Sequence, residues 1–128
     1  PDVDFDLQYE LPEHPVYVNT DKSRMEQVLD NLIVNAKRNV NPGGVLKLSL
    51  KESEDMLDFS VFNQGPPIPQ ENLSKIWTKF YRDKNSKYSG SGLGLAIVAQ
   101  ILSMQHLIYG VENQPGGVAF YFSIPTVK

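Results

Sequence analysis

Apolar side chains recur every three or four residues through positions 21–41, the longest periodic stretch of the chain. This spacing is typical of an amphipathic helix that buries one face. Asp21 is a suitable N-cap, and the Asn-Pro-Gly-Gly sequence at 41–44 is a strong stop signal. We therefore predict a helix over residues 21–41. Its buried stripe consists of Met25, Val28, Leu29, Leu32, Ile33, Ala36 and Val40.

Shorter runs in which apolar residues alternate with polar ones predict strands on both sides of this helix. The predicted strands cover residues 5–11, 16–18, 45–50, 57–62, 107–113 and 118–124. We expect the first to be half-buried and the second to lead into the helix. Turns at 54–55 and 114–117 should join the last four strands into two antiparallel hairpins.

Two more helices are predicted, over residues 70–80 and 96–104. A proline-rich loop at 63–69 precedes the first, and a polar, basic segment at 81–91 has the composition of a mobile lid. These elements predict an α+β fold, a two-layer α/β sandwich. Its sheet should be mixed and mostly antiparallel, with about three helices on one face.

Composition narrows the class of protein. The 128 residues suit one domain with a substantial core, and the net charge of −3 argues against general binding of nucleic acid. Without cysteine, disulfides and thiolate metal sites are excluded. No apolar run approaches the roughly 20 residues of a membrane span. Because the chain begins at Pro1 without a methionine, we expect a fragment of a longer protein.

A row of amides on the first helix needs an explanation. Asn31, Asn35 and Asn39 stand four residues apart, with Gln27 above them and Arg38 beside them. Asparagine is a mediocre helix former, because its side chain competes for backbone hydrogen bonds. The row is either a solvated face or a set of amide oxygens and one guanidinium directed at a ligand.

Glycines at 90–94 precede the helix at 96–104, which is a favourable place for a phosphate. Free N–H groups and the positive end of the helix dipole hold anions there. The motif does not follow a strand directly, as a dinucleotide-binding turn does, and it lacks the Lys-Ser or Lys-Thr of a P-loop. We predict a phosphate cradle of a third type, preceded by a basic segment at 79–87 that carries Lys79, Arg82, Lys84 and Lys87. This segment is either an anion-binding segment or a solvated loop.

Four motifs in this order resemble the ATP-binding catalytic domain of sensor histidine kinases, in the superfamily of gyrase, chaperone, histidine-kinase and mismatch-repair ATPases. QVLDNLIVNA is similar to the N box, NQGPPIP to the G1 box, IWTKFYR to the F box and GSGLGLAIV to the G2 box. The resemblance covers about residues 16–125, and the family's Bergerat-type fold is the predicted sandwich. The KFYR segment and the asparagine of the G1 box are also similar to glycopeptide-resistance sensor kinases.

The resemblance implies ATP and Mg²⁺ as cofactors and assigns roles to residues. Asn35 would ligate Mg²⁺, Asn31 would lie beside the metal or the phosphates, and Arg38 would contact the phosphates and stabilise charge during transfer. The implied nucleotide contacts besides Asn35 are Asn39, Asn63, Gly65, Ile68, Phe80, Tyr81, Arg82, Lys87, Gly90, Gly92, Leu93, Gly94 and Leu95.

Several positions depart from the family pattern. The hydrolytic members carry a glutamate, the general base for water, where this chain has Asn31, so transfer to a protein side chain is favoured over hydrolysis. Asn63 replaces the aspartate that binds the adenine amino group, and Pro67 replaces the second glycine of that box. Asn39 replaces a frequent aromatic residue. The Gly-Gly expected near His106 is missing.

We therefore expect the domain to bind Mg-ATP and to donate the γ-phosphate to a histidine on a separate helical dimerisation domain. A response regulator is the expected second partner. Neither His14 nor His106 has the sequence context of a phosphoacceptor, so the isolated fragment should not autophosphorylate. The resemblance also implies that this chain is the cytoplasmic portion of a bacterial membrane-bound kinase. Only parts of the full-length protein that are missing from this chain would contact the membrane. The alternatives are a degenerate nucleotide-binding or docking module and an anti-sigma-type serine kinase.

Overall fold

The computed structural model describes residues 4–78 and 94–127. A single five-stranded sheet has the order β1-β2-β3-β5-β4. Strand β1 is parallel to β2, and all other neighbouring strands are antiparallel. The strands are β1 (Asp6–Glu10), β2 (Val45–Ser53), β3 (Met56–Gln64), β4 (Ile108–Gln114) and β5 (Gly117–Pro125), and the helices are α1 (Lys22–Asn39) and α2 (Gly94–Met104).

The core lies between the two helices and one face of the sheet. Strands β3 and β5 contribute facing pairs such as Val61 with Phe120, and Phe120 is fully buried. Helix α1 contributes Val28 and Leu32, and α2 contributes Leu102. Apolar residues that alternate along the strands and apolar residues that recur every 3.6 positions along the helices thus pack together in one core. The predicted α+β sandwich with a mixed, mostly antiparallel sheet is confirmed.

Helix α1 follows its prediction closely. The carboxylate of Asp21 accepts a hydrogen bond from the backbone N–H of Arg24 at 3.1 Å, which confirms the N-cap. At the other end, the N–H of Val40 donates to the carbonyl of Ala36. Within the described ranges, no helix is both long enough and apolar enough to cross a bilayer.

The two predictions at the start of the chain need correction. Residues 16–18 do not form a strand: Val18 makes an isolated bridge to Thr126, and a ladder cannot extend back through Pro15, which has no backbone N–H. Strand β1 exists but is not half-buried, because Leu7 is 43% and Tyr9 61% exposed. Leu7 pairs with Leu46, which is only 1% exposed, so the helical layer ends before this edge strand.

The predicted helix at 70–80 is also wrong over its described part. Two short 3₁₀ turns, Gln70–Asn72 and Lys75–Trp77, replace it. Neither turn has a side-chain cap, and apolar residues spaced three apart suit a 3₁₀ turn as well as an α-helix. The ring of Trp77 packs edge-on against Tyr109 and Phe120, at centroid distances of 5.0 and 5.6 Å. Tertiary packing therefore decides this segment.

Helix α2 ends in a left-handed residue that is not glycine. His106 has a φ of 58°. The N–H of His106 donates to the carbonyl of Ser103, and the N–H of Leu107 donates to that of Leu102, both at 3.0 Å. This is a Schellman motif, in which the left-handed position is usually glycine because a Cβ is disfavoured there. It is also where the Gly-Gly pair expected from the family resemblance is missing.

We predict that His106→Gly raises the free energy of unfolding by about 0.5–1 kcal/mol, because the backbone strain is relieved and an exposed side chain loses no packing. Urea denaturation at constant pH measures it. The matched control, His106→Ala, keeps the Cβ and should bring no gain. A glycine variant that is less stable than the wild type would contradict the assignment of strain to this residue.

Candidate functional site

The amide row of α1 is held in place by the helix itself. The Nδ2 of Asn31 donates to the carbonyl of Gln27 at 2.8 Å, and the Nδ2 of Asn39 donates to the carbonyl of Asn35 at 2.7 Å. These bonds to the residue four positions earlier use the nitrogen of each amide. The oxygens of Asn31 and Asn39 therefore remain directed away from the helix backbone, where they can accept a hydrogen bond or ligate a cation.

Asn35 has an unusual environment in this row. Asn35 is only 8% exposed, and its Nδ2 is buried with no hydrogen-bond partner among the described residues. A buried donor without a partner costs about 1–3 kcal/mol, so such groups are rare unless something else satisfies them. A bound oxyanion next to Asn35 would do so. The residues thus fit a phosphate with an associated cation.

The N-terminus of α2 lies against the row. A Cβ built on Gly94 would stand 3.0 Å from the Oδ1 of Asn31, so only glycine allows this approach without displacement. The first N–H groups of an α-helix have no partner within the helix, and they carry partial positive charge. The amide oxygen of Asn31 and the N-terminal end of α2 consequently meet at one place. Leu95, the next residue, is buried in the core.

A second close contact joins the end of α1 to the loop after β3. A Cβ on Gly65 would lie 2.6 Å from the carbonyl oxygen of Asn39 and 3.3 Å from the Nδ2 of Asn63. Asn63 is fully buried, and Asn39 is 4% exposed. The structure therefore brings together three residues that the sequence separates by up to 26 positions. Their implied roles in binding a nucleotide stay predictions.

Arg38 and Ile68 occupy contrasting environments. Arg38 is exposed and makes no ion pair with another described residue, so its guanidinium is available to an anion. Ile68 is 2% exposed and belongs to the core cluster. The remaining predicted contacts fall outside residues 4–78 and 94–127: Phe80, Tyr81, Arg82, Lys87, Gly90, Gly92 and Leu93.

Two residues that the sequence did not single out support the site. The backbone carbonyl of Gln64 accepts from the N–H of Asn41 at 2.8 Å, and its side-chain Oε1 accepts from the N–H of Val45 at 3.0 Å. Asn113 makes two hydrogen bonds to the backbone of Ile68. The sequence could have shown that the backbone N–H and C=O of Ile68 need hydrogen-bond partners in the proline-rich loop. It could not have shown which residue supplies them.

The donor set suggests which metal would suit the site. Across the described ranges, no group of three or more histidine, cysteine, aspartate or glutamate side chains could hold a metal ion. Mg²⁺ commonly takes only one or two protein oxygens and completes its shell with phosphate oxygens and water. An amide oxygen of Asn35, acting with a triphosphate, is compatible with that chemistry.

Comparison with known sequences identifies the family. The model of the histidine kinase-, DNA gyrase B- and HSP90-like ATPases matches residues 20–128. The sensor histidine kinase WalK of Bacillus subtilis (strain 168) is 39% identical over 121 residues, which is 90% of this chain and 20% of WalK. The chain spans between 20% and 25% of the length of the curated sensor kinases that it matches first.

Solved structures agree with this. The catalytic domain of the histidine kinase ThkA, in a nucleotide-free form, is 34% identical and superimposes with a TM-score of 0.84, covering 94% of this chain and 78% of that one. ThkA in complex with the response regulator protein TrrA is also similar, with 31% identity, a TM-score of 0.81 and coverage of 96% and 34%. These matches confirm the resemblance stated from the four sequence motifs. The chain therefore belongs to the histidine kinase-, DNA gyrase B- and HSP90-like ATPase family, and within it to the histidine kinase catalytic domains.

Proposed function

We propose that this domain binds ATP with Mg²⁺ and donates the γ-phosphate to a histidine on a helical dimerisation domain of the same sensor kinase. The observation that carries the proposal is the meeting of the α1 amide row with the N-terminus of α2 at Asn31 and Gly94. Partial positive charge from the helix would hold phosphate oxygens. Asn35 would hold the metal, and bound Mg²⁺ would reduce the charge on the phosphates.

The residues of the row favour transfer over hydrolysis. A base that activates water must accept a proton, and an amide does not do so at neutral pH. Asn31 occupies the position nearest to the α2 N-terminus, with its nitrogen already bonded to the carbonyl of Gln27. Arg38, which is exposed and free of ion pairs within the described ranges, would stabilise charge on the transferring group. The same absence of a base argues against an anti-sigma-type serine kinase.

A docking module that has lost tight nucleotide binding is the second candidate. Asn63 favours it, because this fully buried residue offers an uncharged amide at the position where the family uses a carboxylate for adenine. Charge-assisted hydrogen bonds are roughly twice as strong as neutral ones. The two candidates differ in whether the domain binds Mg-ATP at all.

We further propose that residues 1–128 form the catalytic unit of a longer, bacterial membrane-bound sensor kinase that acts on a response regulator. The relatives named as sensor kinases, and the complex of ThkA with TrrA, support this assignment. Because ATP is found inside the cell, the unit would lie on the cytoplasmic side.

Isothermal titration with Mg-ATP separates the candidates. We expect the wild type to bind and Asn35→Ala to bind about 10–100-fold more weakly, because a bond to a charged group contributes about 1.5–3 kcal/mol. Asn19→Ala removes an exposed amide ahead of α1 and should change nothing. A wild type that releases no heat favours the docking module. Undiminished binding by Asn35→Ala would rule out the metal assignment.

Selectivity among nucleotides should be weak in the wild type, because the neutral amide of Asn63 binds the adenine amino group less strongly than the carboxylate that the family uses there. We expect Asn63→Asp to bind ATP about fivefold more tightly and to discriminate better against GTP. Competition between the two nucleotides for one labelled ATP analogue provides the measurement. Strong rejection of GTP by the wild type would show that other groups read the base.

Neither described histidine is placed to receive the phosphate. His106 lies beyond the C-terminal end of α2, and the last residue of that helix, Met104, is about 15 Å from Gly94. His14 is exposed and lies 3.6 Å from Glu52, which belongs to the end of the β2–β3 hairpin remote from Asn63. We predict no acid-labile phosphate on this chain after incubation with labelled Mg-ATP. A dimerisation domain added in trans is the positive control, and label on the chain alone would refute the placement.

A further inference from the structure

The loop that follows β3 has very little backbone with which to fix its position. Residues 66–69 are Pro-Pro-Ile-Pro, and proline has no N–H. Ile68 is therefore the only residue of the four that can donate a backbone hydrogen bond. The loop starts from a fixed point, since the N–H of Gly65 donates to the carbonyl of Gly116 at 3.0 Å. Beyond Gly65, the course of its backbone depends on the hydrogen bonds of Ile68, whose side chain is buried in the core.

Asn113 of β4 satisfies both backbone groups of Ile68. The N–H of Ile68 donates to the Oδ1 of Asn113 at 2.9 Å, and the Nδ2 of Asn113 donates to the carbonyl of Ile68 at 2.8 Å. The side-chain amide thus imitates the paired N–H and C=O of a neighbouring strand. The two residues are 45 positions apart in the sequence. Because β4 is an edge strand, this pairing connects the loop to the edge of the sheet.

Asn113 also lies in line with the buried residue of the site. In the sheet register it pairs with Val118, and Val118 pairs on its other side with Asn63. Side chains directly opposite each other across neighbouring strands project from the same face of a sheet. Asn113, Val118 and Asn63 therefore project from one face, and the loop that Asn113 holds runs over that face between Asn63 and Ile68.

We propose that Asn113 is a positioning residue for the base-binding side of the nucleotide site. This inference rests on the proposed function. Asn113 sets the course of residues 66–69, and thereby the position of Ile68 in the wall that Gly65, Asn63 and Ile68 would form beside the base. The phosphate side, where Asn31 faces Gly94, makes no described hydrogen bond to Asn113. Loss of the amide should therefore weaken recognition of the base and leave recognition of the phosphates intact.

The position allows this role to be separated from general stability. Asn113 is exposed, so replacing it opens no cavity in the core. The bond from Gly65 to Gly116 joins two backbone groups and does not depend on the side chain at 113. Substitution should consequently release the Ile68 end of the loop alone. Gln114 provides a matched control, because its exposed amide bonds to Glu112, at 3.1 Å, and to no other residue in the described part of the chain.

The test compares the wild type with Asn113→Leu and Gln114→Leu in the complete 128-residue chain. Dissociation constants are measured for Mg-ATP and for inorganic tripolyphosphate with Mg²⁺, and exchange of the Ile68 amide hydrogen is measured without nucleotide. For Asn113→Leu we expect faster exchange at Ile68, ATP binding weaker by about five- to tenfold, and unchanged affinity for tripolyphosphate. Gln114→Leu should match the wild type in all three.

Each contrary result is distinct. If the wild type binds Mg-ATP and Asn113→Leu binds it equally well, the positioning role is refuted while the proposed function stands. Equal losses for ATP and tripolyphosphate would show a general structural effect and would also refute it. If exchange at Ile68 does not change, Asn113 does not hold the loop. A wild type that binds no Mg-ATP removes the proposed function, and this inference with it.

Discussion

The close contact between the end of α1 and the loop after β3 is the constraint on which the candidate site depends. At Gly65 the two backbones approach so closely that a Cβ would lie 2.6 Å from the carbonyl oxygen of Asn39. Gln64 strengthens the junction with one backbone and one side-chain hydrogen bond to the segment after α1. Any larger residue at 65 would separate Asn39 from Asn63 and open the site between them.

Amides, rather than carboxylates, give the site its chemical character. Within the helix, the nitrogens of Asn31 and Asn39 are bonded to carbonyls of the preceding turn, so helix formation itself orients the oxygens. The row of amides itself therefore provides no proton acceptor and no negative charge that would repel an incoming triphosphate. A site of this kind can hold phosphates and a hard cation while leaving the phosphoryl group for a side-chain acceptor. The buried nitrogen of Asn35, which has no hydrogen-bond partner among residues 4–78 and 94–127, is the observation that best agrees with a bound ligand.

Three neighbouring strands of the sheet support the candidate site. Strands β3, β5 and β4 place Asn63, Val118 and Asn113 in one row, and the β4–β5 hairpin holds the proline-rich loop through Gly116 and Asn113. The opposite edge is different, because β1 leaves Leu7 and Tyr9 exposed beyond the helical layer. The residues of the candidate site thus lie toward the end of the sheet where α1 finishes and α2 begins.

Sequence periodicity alone determined α1, the two hairpins, α2 and the fold class, because these depend on which faces are apolar within a short window. The four motifs determined the family. Tertiary structure decided the rest: over the described part of the predicted helix at 70–80 it produced two 3₁₀ turns, with Trp77 packed against Tyr109, and it left β1 uncovered. It also paired Asn113 with Ile68. A hydrogen bond between residues 45 positions apart leaves no local pattern in the sequence, because the two residues come into contact only when the sheet forms.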